Sequence, residues 1–190
     1  QIGIPSAFQY SLFAFANLFV QSSVNSFDHV LVEGNSAAAN ADPLVYDMMA
    51  AFYTACSSFI AQNFGARKKK RILQTYLICL FYSFITSLVL GVGIYLARYP
   101  FLYLFTSDKA VVEAGITRLS IMALSYSASA FMDASIAASR GLGKTAVPTF
   151  VVVMGSCVFR IIWIYTIFAY FHTIQSLYIL YVFSWGITAI

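Results

Sequence analysis

Long stretches without a charged residue are the feature of this sequence that most restricts its fold. No charge occurs over 5–27 or 72–97, and 48–66 is equally free of charge. Of the 190 residues, 61% are hydrophobic and 9% are charged, whereas soluble domains carry about 25% charged residues. A globule of this size cannot remove so much apolar surface from water. Since a helix needs roughly 20 apolar residues to cross a bilayer, the sequence predicts an all-α, polytopic membrane protein.

The pattern of apolar residues separates six candidate membrane spans. Pro5, Pro43 and Pro148 stand at the start of three of them, where a missing N–H has no helical partner to lose. Pro100 follows the third span and is expected to help end that helix. The predicted spans are 5–27, 44–66, 72–97, 114–139, 146–170 and 176–190.

Basic residues cluster in two connections between spans. Five of the 11 Lys and Arg form the run at 67–71, and Arg140 and Lys144 join spans four and five. In a six-span serpentine both connections face the same side, and basic loops mark the cytoplasm. We therefore expect span one to begin inside the cell. The opposite side is expected to carry Asp28, Glu33, Asp42, Arg98, Asp108, Lys109 and Glu113.

Two alternative interpretations of these charges are weaker. A basic run also occurs in nucleic-acid-binding segments, but a topogenic loop fits better between two spans, so no nucleic-acid partner is expected. Asp28, His29 and Glu33 offer possible metal ligands within six residues, yet a solvated loop explains them. No metal site and no cofactor are therefore expected.

Gly143-Lys144-Thr145 matches the end of a nucleotide-binding P-loop, G-x-x-x-x-G-K-[ST]. The first glycine of that pattern would fall on Ala138. A predicted membrane helix precedes the motif, whereas a phosphate-binding loop of this kind follows a strand. A tight turn between two spans, using Gly141 and Gly143, explains the glycines instead.

A series of short motifs extends over almost the whole sequence: Gly3-Ile4-Pro5, Asn25-Ser26-Phe27, Gly34-Asn35, Ala38-Ala39-Asn40, the segment QNFGARK at 62–68, Met132-Asp133, Arg140-Gly141-Leu142-Gly143, Pro148 and Arg160. In its order and spacing, the series resembles the second half of transporters of the multidrug and toxic compound extrusion (MATE) family, and more narrowly its bacterial branch. Asp28 and Glu33 depart from the family pattern, which has small residues at these places in the outer loop.

The resemblance implies a protein of about twelve spans in two six-helix lobes, with 1–190 as the C-terminal lobe. The sequence begins at Gln1 and stops within an apolar run, so we expect it to be part of a longer chain. The family exports organic compounds, often cationic and aromatic, by antiport with Na⁺ or H⁺. The implied partners are the substrate, the coupling cation, membrane lipid and the N-terminal lobe of the same polypeptide. The implied location is the plasma membrane, as a multi-pass protein.

Asp133 is the candidate for the transport chemistry. It lies seven residues before Arg140, so it is expected roughly 10 Å inside the cytoplasmic surface, within the hydrocarbon. A carboxylate there costs about 2.5–3.5 kcal/mol to insert, and such groups face a cavity or a partner. Tyr126 and Ser129 share its helix face by spacing. We expect Asp133 to bind the coupling cation or a cationic substrate, although a structural hydrogen-bonding role remains open.

Asn17, Gln21 and Asn25 recur at four-residue spacing in span one and are candidates to line the same cavity. Their amides alternatively join helices by hydrogen bonds. Arg160 is expected about 12 Å higher than Asp133 and too distant to pair with it, so its side chain is expected to reach the outer interface. Without a cation nearby, the buried carboxyl of Asp133 would favour proton uptake.

Three rival functions are weighed against a cation-coupled exporter. A lipid-linked-oligosaccharide flippase of related fold is the main alternative, but it is expected to hold several cationic residues in its cavity, and here only Arg160 is expected deep in a span. A membrane enzyme would need a nucleophile–base pair or a metal cluster, and both histidines, His29 and His172, are expected near the outer surface. No enzymatic function is therefore expected. A passive channel would transport without an ion gradient.

Overall fold

The computed structural model describes residues 3–189, except for the side chains of residues 3–6 and of Tyr10. This part of the chain is helical and contains no β-strand. The helices are α1 (Gly3–Val24), α2 (His29–Ala39), α3 (Ala41–Gly65), α4 (Lys69–Leu96), α5 (Arg98–Tyr103), α6 (Lys109–Gly141), α7 (Ala146–Phe171) and α8 (Ile174–Ala189).

Four helices are long and apolar enough to cross a membrane, which confirms the predicted class of polytopic all-α membrane protein. They are the continuous stretch of α2 and α3 (His29–Gly65), α4, α6 and α7, while α8 is apolar but shorter. Residues 28–43 were predicted to form an outer loop, and this part of the prediction is wrong. Asn40 has helical dihedrals, with φ −66° and ψ −14°, so α2 passes into α3 with little interruption.

Every proline occupies the third residue of a helix. Pro5 stands in α1, Pro43 in α3, Pro100 in α5 and Pro148 in α7. The first turn tolerates proline because the N–H groups there have no acceptor within the helix. Pro100 therefore begins a new short helix after α4 has ended at Leu96, rather than ending α4 itself.

Helix α6 is the centre of the lobe, and α2, α3, α4 and α8 pack around it. Glycine permits the closest approach: a Cβ on Gly91 of α4 would lie 2.0 Å from the carbonyl oxygen of Ala123 on α6. Helix α1 packs against the first half of α7, and α8 contacts both α6 and α7. The two groups of helices therefore leave a space between α1 and α6.

The glycine motif near the end of α6 forms a turn between two helices. Helix α6 ends at Gly141, Gly143 has a φ of +77°, and α7 begins at Ala146. Helices on both sides exclude the strand–loop–helix geometry of a P-loop. A Cβ on Gly141 would lie 2.8 Å from the side chain of Ile60, so the ends of α3 and α6 meet. The basic segment 67–71 and the turn after α6 therefore lie at the same end of the lobe.

Candidate binding cavity

A cavity of about 680 Å³ lies between α1, α3, α6 and α8, with contributions from α2 and α7. Its apolar wall is rich in methionine and aromatic side chains, and its polar groups occupy three levels along the helices. The polar side chains of the lining are Gln9, Asn17, Gln21, Asn35, Asp42, Tyr46, Tyr53, Arg118, Asp133, Arg140, Arg160, Tyr178 and Tyr181.

An ion pair between α3 and α6 forms the outer level. Nη2 of Arg118 lies 2.5 Å from Oδ2 of Asp42, and Nη1 donates to both oxygens of Asn35. The hydroxyl of Tyr126 donates to Oδ1 of Asp42. Asp42 and Arg118 each lie 23 residues before the inner end of their helix, at Gly65 and Gly141, which places both roughly 35 Å from that end. Asp42 was predicted to lie in an outer loop, but its carboxylate faces the cavity because α3 already begins at Ala41.

Arg160 forms the middle level and is fully buried, with 0% of its surface exposed. Nη1 donates to Oδ1 of Asn17 at 2.7 Å, and Nε donates to the hydroxyl of Ser184 at 3.2 Å. Its guanidinium also lies 4.7 Å from the ring centroid of Phe13 and 4.6 Å from that of Tyr181. The expectation that Arg160 reaches the outer interface is therefore wrong, because α1 and α8 supply polar and aromatic partners within the lobe.

The backbone of α7 departs from regular α-helix on both sides of Arg160. Segments Val153–Val158 and Ile164–Phe168 are π-helical, and only Phe159–Trp163 between them is α-helical. Extra residues in such segments rotate the side chains that follow, and π-bulges are frequent at functional sites. The rise per residue of a regular helix therefore gave a height for Arg160 but could not show that its side chain faces α1 and α8.

Arg140 forms the inner level. Its Nη2 donates to Oε1 of Gln9 on α1 at 2.8 Å, and the hydroxyl of Thr149 donates to the same oxygen at 3.2 Å. The guanidinium lies 5.8 Å from the ring centroid of Tyr53. Arg140 was predicted to lie in the cytoplasmic loop with Lys144. Because Arg140 lies in the last turn of α6, its side chain points into the lobe and joins α6 to α1 and α7, whereas Lys144 is exposed.

Asp133 lies on the α6 wall of the cavity, between the levels of Arg160 and Arg140. Met132 and Ile136 beside it are buried and apolar. The ion pairs found among residues 3–189 are Arg118 with Asp42 and His29 with Glu33, so Asp133 is not paired with any described cation. A half-buried carboxylate at this depth, facing a cavity and free of an ion pair, is the arrangement expected of a group that binds a mobile cation or substrate.

The other candidates fall into two groups. Asn17 and Gln21 line the cavity with Asp133, and Nε2 of Gln21 donates to Oδ1 of Asn25 at 3.0 Å. Asn25 itself is exposed, one residue beyond the end of α1. Tyr126 and Ser129 are buried against α3 rather than in the cavity wall: Tyr126 bonds to Asp42, and the hydroxyl of Ser129 lies 3.8 Å from the sulfur of Met49.

The sequence model that defines the MatE family matches residues 5–166, which is most of the chain. The chain belongs to the MatE family.

Solved structures share the fold of this MatE chain. The D35N mutant of the Vibrio cholerae MATE transporter VcmN superposes with a TM-score of 0.87 at 19% identity, over 97% of this chain and 42% of the other. A MOP superfamily transporter from Pyrococcus furiosus gives 0.79 at 21% identity, over 99% and 42%. An outward-facing multidrug resistance MATE family transporter gives 0.74 at 22% identity, again over 99% and 42%. The MatE chain thus spans less than half the length of these structures. No curated protein matches it in sequence.

The charge balance of the cavity in this MatE lobe was not predicted. Three guanidinium groups line it, from Arg118, Arg140 and Arg160, against the two carboxylates of Asp42 and Asp133. Only Arg160 was expected deep in a span. Arg118 was missed because it falls near the start of a long helix, and Arg140 because it precedes a glycine turn.

A periodic signal for the outer level was present in the sequence. Asn35, Asp42 and Tyr46 are separated by seven and four residues and line one face of the continuous α2–α3 helix. This spacing puts side chains on one helix face. The signal was lost because 28–43 was assigned to a loop, which removed Asn35 and Asp42 from the helix pattern.

Proposed function

We propose that this chain is the C-terminal six-helix lobe of a secondary transporter that exports organic compounds by antiport with Na⁺ or H⁺. The observation that carries the proposal is Asp133, whose carboxylate faces a cavity of about 680 Å³ without an ion-pair partner among the described residues. Alternating access then rocks this lobe against an N-terminal lobe of the same polypeptide, in the plasma membrane, with the cavity at their interface.

Asp133, the outer ion pair and the aromatic wall of the cavity each have a role in the proposed cycle. Asp133 exchanges the coupling cation for substrate, because one carboxylate cannot hold two cationic ligands at once without a cost in free energy. Asp42 is already neutralised by Arg118 and so holds the outer ends of α3 and α6 together. Tyr46, Tyr181 and Trp185 supply aromatic surface for flat organic substrates.

One observation favours a second candidate function, the flippase of a lipid-linked oligosaccharide. Three arginines line the cavity, and a phosphate group is recognised well by guanidinium donors. Arg118, however, is paired with Asp42, and Arg140 and Arg160 are each bound by a neutral amide oxygen. The same arginines support a substrate range that includes compounds with an acidic group, so the test below uses dyes of both charges.

The proposal is tested with the full reading frame that contains these residues, expressed in cells that lack their major efflux pumps. Accumulation of ethidium and of an anionic fluorescein dye is recorded with and without H⁺ and Na⁺ gradients. The variants are Asp133→Asn and the matched control Asp28→Asn, whose carboxylate is exposed and makes no side-chain cap bond.

We expect gradient-dependent export of at least one dye by the wild type and by Asp28→Asn, and its loss in Asp133→Asn at equal membrane abundance. Export that survives in Asp133→Asn would contradict the role of Asp133. Flux without any gradient would indicate a channel. If no dye is exported, flipping of a fluorescent lipid-linked saccharide in proteoliposomes decides for the flippase.

A further inference from the structure

A second recess lies outside the central cavity, at the basic end of the lobe. It has a volume of about 540 Å³ and is formed by α3, α4, α6 and the residue that follows α6. Its wall is apolar and is made by Ile60, Phe64, Ile72, Leu73, Ala138 and Leu142. The central cavity shares none of these residues, so the two spaces are separate.

The polar groups of this recess are mostly occupied. The hydroxyls of Tyr76 and Ser135 lie 3.2 Å apart and hydrogen-bond to each other across α4 and α6. Phe64 and Leu73 at the rim are 53% and 59% exposed. A recess with this lining does not suit a polar solute, because a buried polar group without a partner costs free energy. It suits a hydrocarbon chain.

Basic residues lie directly at the mouth of the recess. Lys69 lines it and also belongs to the exposed basic run 67–71. No acidic residue occurs in the sequence between Asp47 and Asp108, and no ion pair involves this run within the part of the chain that the structure describes. Five cations thus stand together without a neighbouring carboxylate. Their complement is an anionic group at the membrane surface.

The depth of the recess matches a lipid anchored at that surface. Tyr76 lies seven residues into α4 from Lys69, and Ser135 lies six residues before the end of α6. The Tyr76–Ser135 bond is therefore roughly 10 Å from the basic end. This distance is enough for the first part of an acyl chain whose headgroup remains beside the lysines.

We propose that the recess and the basic run form one binding site for an anionic phospholipid, with the phosphate at Lys69 and its neighbours and an acyl chain between α3, α4 and α6. The site requires both parts. The cations alone attract any anionic surface, and the apolar recess alone accepts any lipid tail. Together they select an anionic lipid and hold the inner ends of three helices in contact with it. The inference does not depend on the substrate or on the coupling ion.

The experiment uses the purified full-length transporter in a neutral detergent and counts bound lipids by native mass spectrometry. The probes are phosphatidylglycerol and phosphatidylcholine with the same acyl chains, and glycerol phosphate as a competitor without a tail. The charge variant is Lys69→Gln with Lys70→Gln. Phe64→Ala removes one wall of the recess, and Ala138→Leu fills it. Lys109→Gln is the control, since it removes an exposed lysine at the opposite end of α6.

We expect one phosphatidylglycerol to be retained in preference to phosphatidylcholine, and not to be displaced by glycerol phosphate. Neutralising two lysines should weaken this binding by about 25-fold, at about fivefold for each cation near the surface. Phe64→Ala and Ala138→Leu should each weaken it while Lys109→Gln leaves it unchanged.

Three results would overturn the proposal. Equal retention of both lipids removes the role of charge. An unchanged preference for phosphatidylglycerol in both Phe64→Ala and Ala138→Leu removes the role of the recess. In that case either the lysines act as a diffuse charged surface or another part of the protein covers the recess. Displacement by glycerol phosphate indicates an anion site rather than a lipid site. One recess variant enlarges the recess and the other fills it. If size-exclusion chromatography shows that one of them is misfolded, the other still tests the role of the recess.

Discussion

Arg160 of α7 and Asn17 of α1 are joined by a hydrogen bond of 2.7 Å between Nη1 and Oδ1, in the middle of the lobe. Because Arg160 is fully buried, this amide oxygen is one of the few groups that compensate its charge. The bond also joins α1 to a helix whose backbone is π-helical on both sides of the arginine. The contact between α1 and α7 is therefore specific at this level and not only apolar.

Replacing Asn17 by leucine is expected to destabilise the protein by about 1.5–3 kcal/mol, the usual range for a hydrogen bond to a charged group. The guanidinium of Arg160 would lose its shortest bond while remaining buried. Thermal unfolding of the full-length protein in detergent measures the effect. Asn25→Leu is the control on the same stretch of chain: Asn25 is exposed and its bond with Gln21 lies at the surface, so stability should change by less than about 0.5 kcal/mol. Equal midpoints for the two variants would show that the bond contributes little.

Removing the carboxylate of Asp42 should destabilise the lobe by on the order of 2 kcal/mol. Loss of one partner from a buried ion pair costs more, but the side chain of Asp42 is 23% exposed and solvent screens part of the charge. The double variant Asp42→Asn with Arg118→Met should recover part of the loss, because it removes the unpaired guanidinium as well. Glu33→Gln, in the exposed pair with His29, is the control and should have little effect. A double variant less stable than the single one would contradict the pair.

Two glycines of α4 should respond oppositely to alanine. In Gly91→Ala the new Cβ would meet the carbonyl oxygen of Ala123 at 2.0 Å, so α4 and α6 must separate, at a cost of about 1–3 kcal/mol. A Cβ at Gly93 meets nothing within 4 Å, so Gly93→Ala should be neutral or stabilise by up to about 1 kcal/mol through helix propensity. Thermal unfolding midpoints compare the two variants, and that of Gly91→Ala should be the lower. A Gly91→Ala protein as stable as Gly93→Ala would disprove the close contact.

The orientation predicted from the basic loops can be measured with single cysteines. Lys70→Cys should react with a membrane-impermeant maleimide only after the cells are permeabilised, so that the reagent reaches the cytoplasm. Lys109→Cys should react in intact cells. Both lysines are exposed and lie at opposite ends of the lobe. Cys56 and Cys157 are buried and Cys79 is half-buried, so the unmodified chain should give a low background. Labelling of Lys70→Cys in intact cells would reverse the predicted topology.

The sequence was most informative where one local property determines structure. Apolar runs predicted the four helices that are long and apolar enough to cross a membrane, whereas the predicted span 5–27 corresponds to α1, which is not among them. The positive φ of Gly143 agrees with the predicted turn after α6. Asn17 and Gln21 of the amide stripe in α1 line the same cavity as Asp133, and Asn17 also joins α1 to α7 through its bond with Arg160. These inferences depend only on spacing along a single helix, which is fixed by its 3.6-residue period.

Relations between helices were harder to predict. Asp133 was the one partner considered for Arg160 and was judged too distant, whereas the structure supplies an amide, a hydroxyl and two aromatic rings from α1 and α8. Asp42 and Arg118 lie 76 residues apart in sequence, and nothing local indicates that they meet. Such pairs arise from the way helices assemble, and the π-helical segments of α7 change which face is presented in a manner that regular periodicity does not describe.

The position of the prolines has a consequence for how the lobe is made. Four helices begin with a proline as their third residue, where an N–H would otherwise enter the bilayer interface without an acceptor. Each of these helices thus has one donor fewer to dehydrate as it partitions into lipid during synthesis. Where a non-helical turn precedes the proline, as before Pro148, the ring also disfavours extension of the helix backwards. The start of α7 is thereby set in the primary structure, before any neighbour is available to pack against it.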